Sequence, residues 1–294
     1  TMSSITGIQG LKPTMDIIKH TKKIAIANKE SIICGWDLIK KNLKKYKTQF
    51  VPVDSEHFSI WFALDNIDNN LVDKIFVTAS GGPFLNKPIN KLKKANIQQA
   101  TNHPNWKMGK KISVDSATMM NKVFEIIEAK KIFNISYKKL SILIHPKSYV
   151  HAIIKLKNGI TKIIVHDTNM RIPIFNSLYA SSKPLTTKKI DLKILNNLDF
   201  REVDYKKFPS NKILNMIPEK SSLFETILVS SNDKLVELFL NKKINFTEIQ
   251  KFLFTIMKST QFKKYKLKKP KNVSEIIDLN EIVHSKISKI VYKK

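Results

Sequence analysis

From Lys23 to Leu64 the chain switches back and forth between two hydrophobic periods, and this restricts the fold more than any other feature. Lys23-Ile24-Ala25-Ile26-Ala27 reads as a short buried strand, and Lys29 to Lys44 as a helix with Ile32, Ile33, Trp36, Leu38, Ile39 and Leu43 free to pack. Thr48 to Val53 is a second strand and Ser55 to Leu64 a second helix. Strand, helix, strand, helix implies parallel strands, because each crossover helix returns the chain to the same end of the sheet. Lys74 to Val77 adds a strand. Leu140 to Ile144, Val150 to Leu156 and, after an Asn158-Gly159 turn, Ile160 to Val165 predict a further, mixed sheet. Ser181 to Lys207 lacks sustained periodicity and has Pro184 near its start, so it reads as a linker. From Phe208 onward the pattern is helical, over Ser222 to Val229, Lys234 to Leu240, Thr247 to Met257 and Val273 to Val291. The expected class is α/β with a C-terminal helical domain.

Composition narrows the function classes. A length of 294 residues with 42% hydrophobic content supports real cores. No apolar run approaches the roughly 18–20 residues that span a bilayer, and no charged-then-apolar leader opens the chain, so a soluble, cytoplasmic protein with no membrane partner is expected. The single cysteine, Cys34, has no internal disulfide partner, and its Ile-Ile-Cys-Gly setting points to packing rather than nucleophilic chemistry. The net charge of +28 invites a nucleic-acid reading, yet only Arg171 and Arg201 are arginines, and base readout and bidentate phosphate clamping favour arginine. We read the charge as a lysine bias that attracts small anions, with no nucleic-acid partner expected. The seven glycines form neither G-x-G-x-x-G nor a P-loop, so no complete dinucleotide site is visible.

The chemistry gathers in His103-Pro104-Asn105-Trp106-Lys107-Met108-Gly109 and the residues after it. Asp115 or Ser116 is placed to cap a helix beginning near Ser116 and running to about Lys131. On it Thr118, Asn121, Lys122 and Glu125 share one quadrant, while Met119, Met120, Val123, Phe124, Ile126 and Ile127 form the apolar arc. A solvated polar face is the plain reading. A helix start carrying Ser116 beside Lys110, Lys111 and Lys122 also suits a phosphate, and Glu125 a cation.

Pro52-Val53-Asp54-Ser55-Glu56-His57 ends a strand, where alternation puts Asp54 and Glu56 on one side, suited to Mg²⁺ or Mn²⁺; solvated acids are the rival reading. Lys29 lies at a strand end, where α/β sheets hold ligands. Ser80-Gly81-Gly82 forms either an anion cradle or only a tight turn. His103 and Trp106 are placed to close over a ligand.

Taken in order, Ile26-Ala27-Asn28-Lys29-Glu30-Ser31, the Pro52–His57 segment, Thr78-Ala79-Ser80-Gly81-Gly82-Pro83-Phe84, the His103–Gly109 segment and Val114-Asp115-Ser116-Ala117-Thr118-Met119-Met120-Asn121-Lys122 resemble the 1-deoxy-D-xylulose 5-phosphate reductoisomerase family. Ile144-His145-Pro146-Lys147-Ser148 and Asn169-Met170-Arg171-Ile172-Pro173-Ile174 extend the resemblance over nearly the whole chain. It implies an NADPH-dependent rearrangement and reduction of that sugar phosphate to 2-C-methyl-D-erythritol 4-phosphate in non-mevalonate isoprenoid synthesis, by a homodimer.

By the same resemblance Asp54, Glu56 and Glu125 are the ligands of Mn²⁺ or Mg²⁺. Ser80, His103, Ser116, Asn121 and Lys122 surround the phosphate and hydroxyls, with Lys29 and Ser55 as further substrate contacts. Asn28, Glu30 and Gly109 lie near NADPH, and Trp106 belongs to a closing loop. Lys29, Glu56, His103, Trp106 and Lys122 are the implied catalytic set.

The implied organisation is the C-terminal part of a Rossmann-like NADPH-binding domain over 1–54, a catalytic α/β domain over 55–180, a linker over 181–207 and a helical domain over 208–294. The family's N-terminal strand and G-x-T-G-x-x-G turn have no counterpart here, so the resemblance implies a fragment. Val123 replaces a small residue, predicting crowding, and His166-Asp167-Thr168-Asn169 replaces a Gly-x-Pro-Asp lead. The rival functional readings are a non-catalytic, lysine-rich polyanion-binding protein and an inactive relative that still binds sugar phosphate.

Overall fold

The computed structural model describes residues 1–179 and 183–292. Its first sheet holds β1 (Met2–Ser3), β2 (Lys23–Ile26) and β3 (Gln49–Pro52) in that order, all parallel. Helix α1 (Leu11–Ile18) connects β1 to β2, and α2 (Lys29–Tyr46) connects β2 to β3, as the alternating periods require. Asn28 caps α2 by accepting the Ser31 N–H at 2.7 Å, and Lys47 ends it in a left-handed turn. Helix α3 (Ser55–Ala63) leaves β3 after two residues and leads to the second sheet.

That sheet has the order β5–β4–β6–β7, from β4 (Val72–Ala79), β5 (Leu140–Ile144), β6 (Val150–Leu156) and β7 (Thr161–Val165). β4 and β5 are parallel, while β6 is antiparallel to β4 and β7 to β6, so the sheet is mixed as expected. The polar connection after β4 carries a short helix, α4 (Ile97–Thr101), before the central pair α5 (Lys110–Ala117) and α6 (Met120–Phe133).

After β7 come α7 (Arg171–Tyr179) and α8 (Leu192–Leu195). Ser181 of the expected linker lies outside the described residues, whereas Arg201 further along pairs with Ile144 beside β5. The C-terminal helices are α9 (Leu223–Leu240), α10 (Phe246–Lys258), α11 (Thr260–Lys263) and α12 (Val273–Tyr292). The two segments expected at 222–229 and 234–240 form the one helix α9. The polar stretch Ser230 to Asp233 that separates them in sequence is turned inward, with Ser230, Ser231 and Asn232 fully buried.

One apolar cluster joins Leu11, Ile24, Ile33, Val123 and Phe124 to Leu228 and Val236 of α9, Leu253 of α10 and Val283 of α12. A second lies between the mixed sheet and α3 and α6, around Ile60, Val77, Ile126 and Ile154. Helix α6 touches both, so each of its faces is committed. Val123 is fully buried in the first cluster within an unbroken α6. Among the described residues no helix is long and apolar enough to cross a membrane.

Candidate active site

β2, β3 and β4 deliver their C-terminal ends to one place. Lys29 opens α2 just past β2, Asp54 is the residue preceding α3, Glu56 lies in its first turn, and Ser80 follows β4. Strand alternation is therefore not what pairs Asp54 with Glu56, because β3 ends at Pro52 and the two carboxylates share a helix start instead. Glu125 arrives from α6, fully buried. Carboxylate oxygens of Asp54, Glu56 and Glu125 all lie within 4.8 Å of one another.

Two lysines occupy the same space. Lys29 Nζ is 2.9 Å from Asp54 Oδ2, 3.5 Å from Glu125 Oε1, and donates to Asn121 Oδ1 at 2.7 Å. Lys122 Nζ donates to Glu56 and, at 2.5 Å, to Glu125 Oε2. Asn121 donates to Glu125 Oε1, and Ser55 Oγ to Glu56 Oε2 at 2.6 Å. Burial lowers both ammonium groups on its own, but Asp54 and Glu125 beside Lys29, and Glu125 and Glu56 beside Lys122, more than reverse this and raise both. Asp54 is held well below the usual carboxylate range: burial raises it, and the Lys29 charge together with His57 more than reverses this. Glu125 goes the other way, pushed up to about 7 by burial and by the Glu56 charge. Three acids against two ammonium groups leave a carboxylate excess made only of hard oxygen donors. That donor set fits Mg²⁺ or Mn²⁺ rather than a soft metal.

The opposite wall is the 80–82 turn and the 103–109 loop. His103 Nδ1 accepts the Asn105 and Trp106 N–H groups at 3.1 and 3.0 Å, so its proton sits on Nε2, 2.9 Å from Ser80 Oγ. Burial, with Lys122 nearby, lowers His103 to about 4, and the ring is neutral at physiological pH. Lys29, Asp54, Ser55, Glu56, Ser80, His103, Trp106, Ser116, Asn121, Lys122 and Glu125 all line one cleft of about 230 Å³. Asn28, Glu30 and Gly109 line an adjoining cavity of about 500 Å³, into which Lys29 and Asn121 also reach. Asn28 is itself 3% exposed, and its side chain is taken up by the α2 cap and by donation to the Ile5 and Gly7 carbonyls.

The helix start expected near Ser116 is not there. Gly109 precedes α5, Ser116 lies in its last turn, and Met119, at φ 62°, breaks the chain into α5 and α6 without a glycine or proline. Met119 is 1% exposed, and the Thr118 hydroxyl accepts the Met120 N–H at 3.4 Å, so tertiary burial and a local cap hold the break. Thr118 is correspondingly buried and leaves the polar face, while Ser116 reaches the cleft from a helix C-terminus with no dipole to offer an anion. Lys111, placed near a phosphate in the sequence reading, is instead bound by Glu30 at 2.6 Å, Asp233 at 2.9 Å and Asp115 at 3.1 Å.

Sequence reasoning missed the layer behind the carboxylates. His57 donates through Nε2 to the Glu125 carbonyl at 2.9 Å, while its Nδ1 is 3.5 Å from Glu128 and 3.9 Å from Asp54. Burial lowers this imidazole, but the Glu128 and Asp54 charges raise it to about 9 overall. Glu128 follows Glu125 by three residues, the one signal that pointed to it. Ser148, Val150 and His151 also line the cleft, and Asn105 donates to the Pro146 carbonyl at 2.6 Å and to Ser148 Oγ at 2.8 Å.

Packing alone gives no reason to bury so many ionisable groups at the mouth of a cleft; the scaffold and the site are those of an α/β enzyme. The family model for the 1-deoxy-D-xylulose 5-phosphate reductoisomerase C-terminal domain matches residues 50–133, that for the DXP reductoisomerase C-terminal domain residues 166–286, and that for 1-deoxy-D-xylulose 5-phosphate reductoisomerase residues 1–35. The chain belongs to the 1-deoxy-D-xylulose 5-phosphate reductoisomerase family. It is 62% identical to the reductoisomerase of Pelagibacter ubique over 98% of this chain and 74% of that one. With the Aquifex aeolicus enzyme it shares 35% over its whole length and 75% of the relative. A crystal structure of DOX-P reductoisomerase in complex with NADPH, fosmidomycin and magnesium superposes with a TM-score of 0.91 at 30% identity, over 99% of this chain and 75% of that one. The Zymomonas mobilis enzyme in complex with NADPH gives 0.86 at 29% identity, over 99% and 74%.

Proposed function

We propose that this chain catalyses the NADPH- and divalent-metal-dependent rearrangement and reduction of 1-deoxy-D-xylulose 5-phosphate to 2-C-methyl-D-erythritol 4-phosphate, a step of non-mevalonate isoprenoid synthesis, in the cytoplasm and as a homodimer. The observation that carries the reading is the convergence of Asp54, Glu56 and Glu125 with Lys29 and Lys122 in one cleft. Asp54, Glu56 and Glu125 are the residues that hold Mg²⁺ or Mn²⁺, which when bound polarises the substrate's carbonyl and hydroxyl oxygens.

The other residues divide the remaining work. Lys29, Lys122 and Asn121 tie up the carboxylates and are the donors that turn to substrate oxygens once the acids engage a cation. Ser80, Ser116 and the Nε2–H of neutral His103 supply uncharged donors for the phosphate and hydroxyls, and Ser55 orients Glu56. Trp106 closes the cleft and excludes water. The adjoining cavity bounded by Asn28, Glu30 and Gly109 receives the reducing cofactor, with Lys29 and Asn121 on the wall the two cavities share. In this division residues 1–54 serve the cofactor, 55–180 the chemistry, 181–207 connect, and 208–294 support the central helices. The open edge of β7, with Ile163 and Val165 exposed, is the face offered to a second copy.

Calorimetric titration with 1-deoxy-D-xylulose 5-phosphate, with and without Mn²⁺, tests this on the native chain and on Glu125→Gln. Metal-dependent binding that Glu125→Gln loses is the expected result. Sugar-phosphate binding indifferent to metal and to the substitution means an inactive relative. No such binding, with salt-suppressed DNA binding in its place, means a polyanion-binding protein.

A further inference from the structure

Three rings run in a row from Trp106 in the 103–109 loop through the cleft-lining His151 to His166. The imidazoles of His151 and His166 stack with centroids 3.5 Å apart and planes 9° from parallel, and the indole of Trp106 meets His151 edge-on at 6.1 Å and 77°. His151, on β6, is 2% exposed and donates through Nε2 to the His166 carbonyl at 3.1 Å. His166 follows β7 directly. Its N–H is bonded to the Tyr149 carbonyl, its Nδ1 is 2.8 Å from the Asp167 carbonyl, and its Nε2 lies 3.5 Å from Ser59 Oγ. Ser59 belongs to α3, one turn after Ser55, whose carbonyl it bonds at 2.7 Å. His166 is thus fixed through its backbone N–H and through Nδ1–H on the Asp167 carbonyl, and presents one ring face to His151. Take that ring away and His151 keeps its Nε2 bond to the residue 166 carbonyl but has a ring partner only in Trp106.

We propose that His166 is a positioning residue for Trp106: stacked on His151, it sets the orientation from which the 103–109 loop closes over the substrate. Stacking of this kind holds a ring in place by dispersion and quadrupole complementarity, at a distance where both rings must be uncharged to avoid repulsion. Burial lowers both imidazoles and keeps them neutral. The proposal rests on the reductoisomerase reading for what Trp106 closes over, but not for where the indole stands.

Fluorine NMR of the protein labelled with 5-fluorotryptophan separates the two. The chain has three tryptophans, at 36, 61 and 106, and Trp106→Phe assigns the resonance of interest. In His166→Ala the Trp106 resonance should shift and broaden while those of Trp36 and Trp61 stay in place. His166→Phe, which restores a ring face, should return it. In turnover assays His166→Ala should raise KM for 1-deoxy-D-xylulose 5-phosphate roughly three- to tenfold with kcat little changed, the range a lost aromatic stack gives, and His166→Phe should recover it. An unmoved Trp106 resonance in His166→Ala overturns the proposal, as does failure of His166→Phe to restore it. Displacement of all three tryptophans assigns His166 a general structural role and overturns it too. Should His166→Ala not fold, His166→Asn, which removes the ring and keeps an amide, is read by the same criteria. The NMR outcome stands even if no turnover is found, which would count against the functional reading alone.

Discussion

Lys122 stands between Glu56 and Glu125, its ammonium bonded to both carboxylates and 2.5 Å from Glu125 Oε2. All three side chains are at least 85% shielded from solvent, with relative exposures of 9%, 13% and 1%. One cation therefore stabilises two acids that repel each other, in the space where a divalent cation has its ligands.

Removing that ammonium should expose the repulsion. Lys122→Ala is expected to lose about 3–5 kcal/mol of stability in chelator, the usual cost of leaving a buried charge unpaired. Mn²⁺ should return more stability to the variant than to the native chain, because Glu56 then loses its ammonium partner and Glu125 keeps only Lys29, 3.5 Å away. Urea unfolding with EDTA and with Mn²⁺ measures both. An equal metal effect on the two proteins means that the carboxylates do not share a cation.

Gly82 packs its α-carbon against the backbone of Ser116 at φ 67°, and a Cβ there lies 2.6 Å from the Ser116 carbonyl. Gly82→Ala should cost about 1–3 kcal/mol in backbone strain and also displace Ser116 from the cleft. Gly159→Ala, at φ 90° with open space around it, should show the strain without any loss of sugar-phosphate binding. Thermal melts and titration calorimetry on the pair separate the two effects.

Asn105 ties the loop carrying Trp106 to the 146–148 turn through two hydrogen bonds, at 2.6 and 2.8 Å. Asn105→Ala should release the loop at a cost of about 1 kcal/mol per bond, seen as a higher KM with the overall melting point little changed. A fall in kcat at constant KM would assign the loop to the chemical step instead.

The cluster at the inner end of α5 predicts a pH dependence of stability. Asp233 is pushed up to about 7 by burial, with the Glu30 and Asp115 charges adding to this and Lys111 opposing it. A carboxyl with a folded pKa above its unfolded value binds more protons folded than unfolded. Its contribution is therefore greatest below about 4 and is lost as pH rises to about 7. Asp233→Asn should remove that slope and be more stable than the native chain at pH 8. Lys111 keeps Glu30 and Asp115 as partners in the variant. Denaturant midpoints from pH 4 to 8 give the comparison, and parallel curves for the two proteins would locate the slope elsewhere.

Much of the site is legible in the sequence. Lys29, Asp54, Glu56, Ser80, His103, Lys122 and Glu125 sit at element ends or on one helical quadrant, and such placements follow from short-range geometry. The break at Met119 was not legible, because a left-handed methionine has no local signature and is held by its burial. His57 and Glu128 escaped for a similar reason, since their pairing needs α3 to lie against α6. Ser230 to Asp233 looked like an interruption and is a buried stretch of α9, where Asn232 donates to Asp115 at 2.6 Å.

What the sequence determined by itself is the alternation of strands and helices at the start of the chain, the class of fold, and the residue types able to hold a cation and a phosphate. Periodicity and chain chemistry are properties of neighbours, and neighbours are enough to set them. The tertiary structure alone decided that α9 braces α5 through Asp115 and Lys111, that Lys29 and Lys122 neutralise the acids, and that His166 reaches Trp106 through His151. Each of these joins residues far apart in the chain, and their meeting depends on how whole elements pack, which no local pattern encodes.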